Sequence, residues 1–144
     1  MRRLRQFLAL PGSRRRLFIE AVLALAVARL LIVMLPFRRY AHRLGLHQGE
    51  TPGTPLDAGR AGVARRVGWA IALAVRHTPW NSVCLPQAMA GKWMLQRRSI
   101  PCTLYLGVAK SVEGMAAHAW LRAGDFIVIG RRGMKRFTVV SSFA

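Results

Sequence analysis

A run of about 20 mostly apolar residues, Leu17 to Phe37 (LFIEAVLALAVARLLIVMLPF), constrains the fold of this chain more than any other feature. As a helix it is long enough to cross a bilayer. Glu20 and Arg29 interrupt it. At 100° per residue these two lie on opposite faces, so the run has no single polar stripe. An Arg near the midpoint of a lone span costs roughly 2.5–3.5 kcal/mol. Pro36 closes the helix. Arg14 to Arg16 and Arg38 with Arg39 flank it on both sides, so flanking charge sets no orientation. No signal-peptide cleavage pattern is present. The expectation is a helix buried in the protein or covered by a partner. A helix lying at a membrane surface is the second reading, and a true span the third.

The 144 residues are one domain's worth of chain. With 53% hydrophobic residues the chain is not a disordered one, and its 13 Gly and 2 Cys exclude a collagen-like or disulfide-scaffold protein. The 23 Lys and Arg against 5 Asp and Glu leave a net charge of +18. Such a balance ordinarily signals a polyanionic partner, nucleic acid or an anionic membrane. Yet the cations mostly sit in doublets at the ends of apolar segments, as at Arg65-Arg66 and Arg97-Arg98. Solvated charge would sit there anyway, so a solvated surface is preferred and nucleic acid is not expected as a partner. The acids, Glu20, Glu50, Asp57, Glu113 and Asp125, are scattered singly and form no carboxylate pair or cage. His42 and His47, five residues apart, share no helical face. Neither a metal site nor a cofactor is expected.

Residues 44–59 carry Gly45, Gly49, Gly53, Pro52 and Pro55, and read as a loop. It separates an N-terminal apolar helical segment, residues 1–43, from a second unit, residues 60–144. From Arg60 to His77 the apolar residues Val63, Val67, Ile71 and Ala74 recur at helical spacing, and Thr78-Pro79 ends the pattern. A second helix begins near Cys84, with Pro86 tolerated in its first turn, and runs to Arg98 before Ser99 and Pro101. The texture then changes to four short β-rich runs: Cys102 to Val108, Ala116 to Leu121, Phe126 to Ile129 and Phe137 to Ser141. Arg122-Ala123-Gly124-Asp125 reads as a tight hairpin with Ala-Gly in the turn. That register sets Arg122 opposite Asp125 and His118 opposite Ile129. Helices followed by an antiparallel meander make the chain α+β, with a helix packed on a small sheet.

Cys84 and His118 are the residues that carry chemistry. A thiol at a helix start meets the positive end of the macrodipole and unpaired backbone N–H groups, which favour the thiolate. A neighbouring His can pair with that thiolate and later protonate a leaving amine. The same N–H groups can bind an oxyanion. Cysteine proteases and transglutaminases use this arrangement. By spacing alone, a buried small Cys and a structural His are the commoner case. Cys102, in a β-type run with no helix start beside it, is expected in the core. A Cys84–Cys102 disulfide is not expected.

The order of motifs makes the reading specific. Trp80-Asn81-Ser82-Val83-Cys84-Leu85-Pro86-Gln87-Ala88 leads through Met94-Leu95-Gln96-Arg97-Arg98 into Thr103-Leu104-Tyr105-Leu106-Gly107-Val108, and then to Ala117-His118-Ala119-Trp120-Leu121. Over residues 78–143 this resembles the leader peptidase of lasso-peptide biosynthesis, a transglutaminase-like cysteine protease with a papain-like arrangement. The resemblance implies a peptidase, in residues 60–144, that removes the leader of a ribosomally made precursor before an ATP-dependent cyclase closes the ring. It implies Cys84 as nucleophile and His118 as base. An apolar helix at the start, in place of a winged-helix-like leader-binding domain, matches the stand-alone form. The implied partners are then the precursor's leader region, a separate leader-recognition protein and the cyclase. A cytoplasmic location follows, with peripheral membrane contact through residues 17–37 left open.

In the resembled family an Asp follows the His by about a dozen residues; here Gly130 holds that place. Asp125 is four residues from the site opposite His118, about 13 Å along a strand, and reads as a turn residue. Either Cys84 and His118 act as a dyad, or a backbone carbonyl or another polar side chain holds the imidazole. Trp80 and Asn81 are near enough in sequence to line the cleft or aid an oxyanion, and equally suit a core residue and a turn former. Gln87 lines the site or caps the first turn. Trp120, on the face of His118, packs over the imidazole or fills the core.

Overall fold

The protein was analysed as a computed structural model, which describes residues 1–80 and 83–144. The first helices are α1 (Arg2–Leu8), α2 (Gly12–Met34) and α3 (Phe37–Tyr40), followed by a 3-10 turn at Ala41–Leu44. Pro11 and Pro36 stand just before α2 and α3, where a missing N–H costs nothing. α4 (Ala58–His77) starts where the Asp57 carboxylate accepts from the Arg60 N–H at 2.9 Å. α5 spans Cys84–Gln96. Four strands follow: β1 (Cys102–Ser111), β2 (Gly114–Ala123), β3 (Phe126–Ile129) and β4 (Thr138–Phe143), with a 3-10 turn at Met134–Arg136. The α+β class expected from the sequence is what is found.

The sheet is antiparallel throughout, in the order β3-β2-β1-β4. α5 lies across one face of it, beside α2 and α4. From Pro86 to Leu95 only Gln87 and Trp93 keep partial exposure. Gly91 is where α5 comes closest to its neighbours: a side chain there would run into Leu121, Ile129 and Ile71. One cluster of buried residues joins Leu25 of α2, Ile71 of α4, Met89 of α5 and Leu104 and Leu121 of the sheet. Residues 1–43 and 60–144 therefore share a core.

α2 is apolar all round, yet only one face is covered. Ala21, Leu25 and Ala28, spaced by four and three, are fully buried, while Leu23, Val27 and Leu30 opposite them are exposed.

The 44–59 loop does not stand free. Leu46 and Ala144 exchange backbone hydrogen bonds of 2.9 and 3.1 Å, and Gln48 N–H donates to Ser142 O at 2.7 Å. Thr51 N–H donates to Thr103 Oγ1 at 2.9 Å. Arg122 reaches up to donate to Thr51 O and Pro52 O at 2.7 and 3.2 Å. The segment is a strap across the sheet face that α5 leaves uncovered.

The turn of the β2–β3 hairpin lies one residue later than expected, so Arg122 pairs with Ile127 rather than Asp125. Ala123 pairs with Phe126, so Gly124-Asp125 forms the turn, with Gly124 at φ 58°. A bulge then sets Leu121, not His118, opposite Ile129.

Candidate active site

Cys84 is the first residue of α5 and is half-buried. Val83 precedes it and supplies no side-chain cap, so the first-turn N–H groups of Cys84 and Leu85 keep their hydrogen-bonding capacity; Pro86 has none to give. Cys84 and Leu85 form one wall of a cavity of about 280 Å³. Leu106, Gly107, Val108, Ala117, His118, Ala119 and Val140 from the sheet and Phe37 from α3 form the rest. Its surface is almost wholly apolar.

His118 is half-buried in mid-β2, opposite Gly107. Its Nε2 lies 2.8 Å from the Gly130 carbonyl oxygen. A carbonyl only accepts, so Nε2 carries the proton, and in the neutral ring Nδ1 is the basic nitrogen. The ring stacks on Trp120 at 5.8 Å and tilts against Phe137 at 5.1 Å. Trp120 in turn stacks on Tyr105 at 5.6 Å, and Arg122 lies over the Tyr105 ring. Gly107 makes room for this ladder, since a side chain there would strike the Trp120 ring and Phe137.

The pleat decides how the two candidates relate. Alternation along β2 turns Ala117, Ala119 and Leu121 toward α5, and turns His118, Trp120 and Arg122 to the opposite face. Cys84 packs against the core on the α5 side. Both residues thus border one cavity, but Cys84 on α5 packs on the core side of the sheet while the His118 side chain is directed to the other face. Among the described residues no hydrogen bond joins the thiol to the imidazole.

The remaining candidates divide as follows. Trp120 packs over the imidazole and is buried at 4% exposure, on the sheet face away from the core shared with α5. Trp80 is half-buried with its indole N–H buried and unpartnered among the described residues, and it is not among those lining the cavity. Gln87 is half-buried on the first turn of α5. Asn81 lies outside the described residues. Asp125 is exposed in the hairpin turn and has no part in holding His118.

Phe137 and Gly107 are site neighbours that sequence reasoning missed. The Leu-Gly-Val run was visible, but only the register puts its glycine beside the histidine. Lys92, the one cation on the helix of Cys84, points elsewhere. It is fully buried and donates to Cys102 O at 3.0 Å. Burial pushes its ammonium below the ordinary lysine value and pushes the buried Cys102 thiol up.

A sequence profile of the transglutaminase-like superfamily matches residues 31–142. No curated protein and no solved structure matches the chain. Members of the superfamily are typically cysteine hydrolases or acyltransferases. The profile runs from the last turn of α2 into β4 and takes in both the helix that Cys84 opens and the strand that carries His118. The chain belongs to the transglutaminase-like superfamily.

Proposed function

We propose that the protein is a cysteine peptidase that removes the leader from a ribosomally made lasso-peptide precursor. The observation that carries this reading is the hydrogen bond from His118 Nε2 to Gly130 O. It leaves Nδ1 as the basic nitrogen on a residue that borders the same cavity as Cys84, the first residue of α5. On this reading Nδ1 takes the thiol proton and Cys84 Sγ attacks the carbonyl at the leader–core junction. The oxyanion is met by the first-turn N–H groups of α5. The imidazolium returns its proton to the departing amine, and water, deprotonated by the same ring, releases the leader acid from the thioester. The ring lies on the sheet face away from α5 and the thiol on the α5 side, so the working form needs a movement of β2 or of the start of α5 that brings them together. The partners of this reading are the leader, a separate recognition protein that presents it and the cyclase that takes the product.

Cleavage of a precursor supplied with its recognition protein tests the proposal. Cys84→Ala and His118→Ala should each abolish it, and full cleavage by Cys84→Ala would sink it. A free amine acceptor in the same assay separates hydrolysis from acyl transfer.

The separation of thiol and imidazole, together with the +18 charge, favours a second reading: a basic adaptor on the same fold that binds an acidic partner and does no chemistry. Labelling by a thiol-reactive probe at neutral pH distinguishes them. Rapid labelling of Cys84 supports the peptidase, and an inert Cys84 supports the adaptor.

A further inference from the structure

We propose that the outward face of α2 seats the protein flat on an anionic lipid bilayer. This inference is independent of the peptidase reading. Ile19, Leu23, Val27, Leu30 and Met34 follow one another by three and four residues and form a single stripe about 22 Å long. Leu23, Leu30 and Met34 are 61%, 60% and 69% exposed. The stripe lies opposite Ala21, Leu25 and Ala28, which are fully buried in the shared core. A monomer in water rarely keeps an aliphatic strip of that length uncovered.

Charge identifies what covers it. Residues 1–44 hold ten Arg and a single acid, Glu20. Glu20 is already engaged, at 2.6 Å from Arg98 and 3.4 Å from Arg97. Arg16 stands exposed before the stripe, and Arg38 and Arg39 stand exposed after it. A second copy would bring cation against cation, which opposes self-association through this face. A bilayer with anionic headgroups instead meets the arginines with phosphates while the stripe enters the acyl boundary. The stripe itself is aliphatic; Trp93 of α5 flanks it, lining a cavity with Ile19, Leu23 and Val27, and Arg97 beside it is already paired with Glu20. A transmembrane placement fails on the other face. It would strip Ala21, Leu25 and Ala28 from α4 and α5 and leave Arg29 in hydrocarbon.

Flotation of the full chain with vesicles tests this. The protein should float with phosphatidylcholine vesicles containing about one third phosphatidylglycerol and stay behind with phosphatidylcholine alone, and added salt should release it. Leu23→Glu with Leu30→Glu should lower the partition coefficient at least a hundredfold, because two apolar anchors are lost. Both positions are exposed, so circular dichroism should be unchanged. Arg16→Gln with Arg38→Gln and Arg39→Gln should weaken binding on the folded chain while leaving the stripe intact. Failure of the unaltered chain to float with either vesicle overturns the proposal, as does equal flotation with both. Undiminished binding of the Leu23/Leu30 variant overturns it too. A dimer in sedimentation velocity that the same variant dissolves, without vesicle binding, would give the face to a second copy.

Discussion

His118 Nε2 donates a 2.8 Å hydrogen bond to the carbonyl oxygen of Gly130, twelve residues further along the chain. That is the position where the resembled peptidases carry an Asp. A main-chain carbonyl fixes the ring's tautomer and orientation as a carboxylate would, but brings no full negative charge. Gly130 also sits at φ 81°, and a side chain there would run into Ala119 O and Trp120. Gly130→Asp should therefore not rebuild a triad. We expect it to lower stability by about 1–3 kcal/mol in chemical denaturation and to reduce turnover. A stable and faster Gly130→Asp enzyme would show that the carboxylate fits after all.

Trp120 is held between Tyr105 and His118, with ring centroids at 5.6 and 5.8 Å. Trp120→Ala should cost about 3–5 kcal/mol and free the imidazole to reorient. Trp120→Phe should recover most of that stability. Thermal denaturation reads the first effect, and nitrogen-15 chemical shifts of the His118 ring read the second.

The Glu20 carboxyl is held below the usual glutamate range, chiefly by its hydrogen bonds from Arg98 at 2.9 and 2.6 Å. A depressed folded-state value means that this pair's stability is complete above the unfolded value near 4.5 and is lost as pH falls through the folded one. Glu20→Gln should cost about 1–2 kcal/mol at neutral pH and flatten the fall in melting temperature below pH 4.5. Parallel acid titrations of the two proteins, followed by circular dichroism, check it.

Lys92 has the opposite consequence at the alkaline end. Burial lowers its folded-state value below 10.5, so between the two values the unfolded chain binds more protons. The Lys92 contribution to stability should rise as pH climbs through the folded value and level off near the unfolded one, while the raised Cys102 thiol acts in the opposite sense. Lys92→Met, similar in volume and uncharged, should remove that rise and be neutral or stabilising at pH 7. Urea midpoints at neutral and alkaline pH measure both.

Much of the fold was legible because Pro and Gly punctuate it. Pro79 and Pro101 stand on either side of α5, Pro86 sits in its first turn, and the shift to β-type residues after Pro101 announces the sheet. What stayed hidden depended on partners far away in sequence. The turn at Gly124-Asp125 moved the β2–β3 pairing by two residues and the bulge between Leu121 and Arg122 moved it by one more, which no local pattern encodes. The two faces of α2 are chemically alike, so periodicity could not say that one would be buried and the other bare. The candidate site was legible as residue types: Cys84 at a helix start and His118 in a strand. Strict alternation along β2, worked through from Leu121, would have assigned His118 and Trp120 to the face away from α5. Phe137 could not have been found, because it reaches His118 only through the path of the chain between β3 and β4.

The strap over residues 44–59 gives the molecule a folding order. Arg122 closes a ring of 71 residues when it donates to Thr51 O, and Thr103 closes one of 52. Such closures lose chain entropy that grows with ring size and return little until both ends are in place. The β1–β2 ladder, closed by a short turn, forms without that cost. The strap should thus dock last and detach first, as one unit, ahead of global unfolding. Amide protons of Leu46, Gln48 and Thr51 should exchange together and faster than those of β1 and β2. The rear of the sheet where Thr103, Tyr105 and Arg122 meet the strap is kept from water only for as long as that ring stays shut.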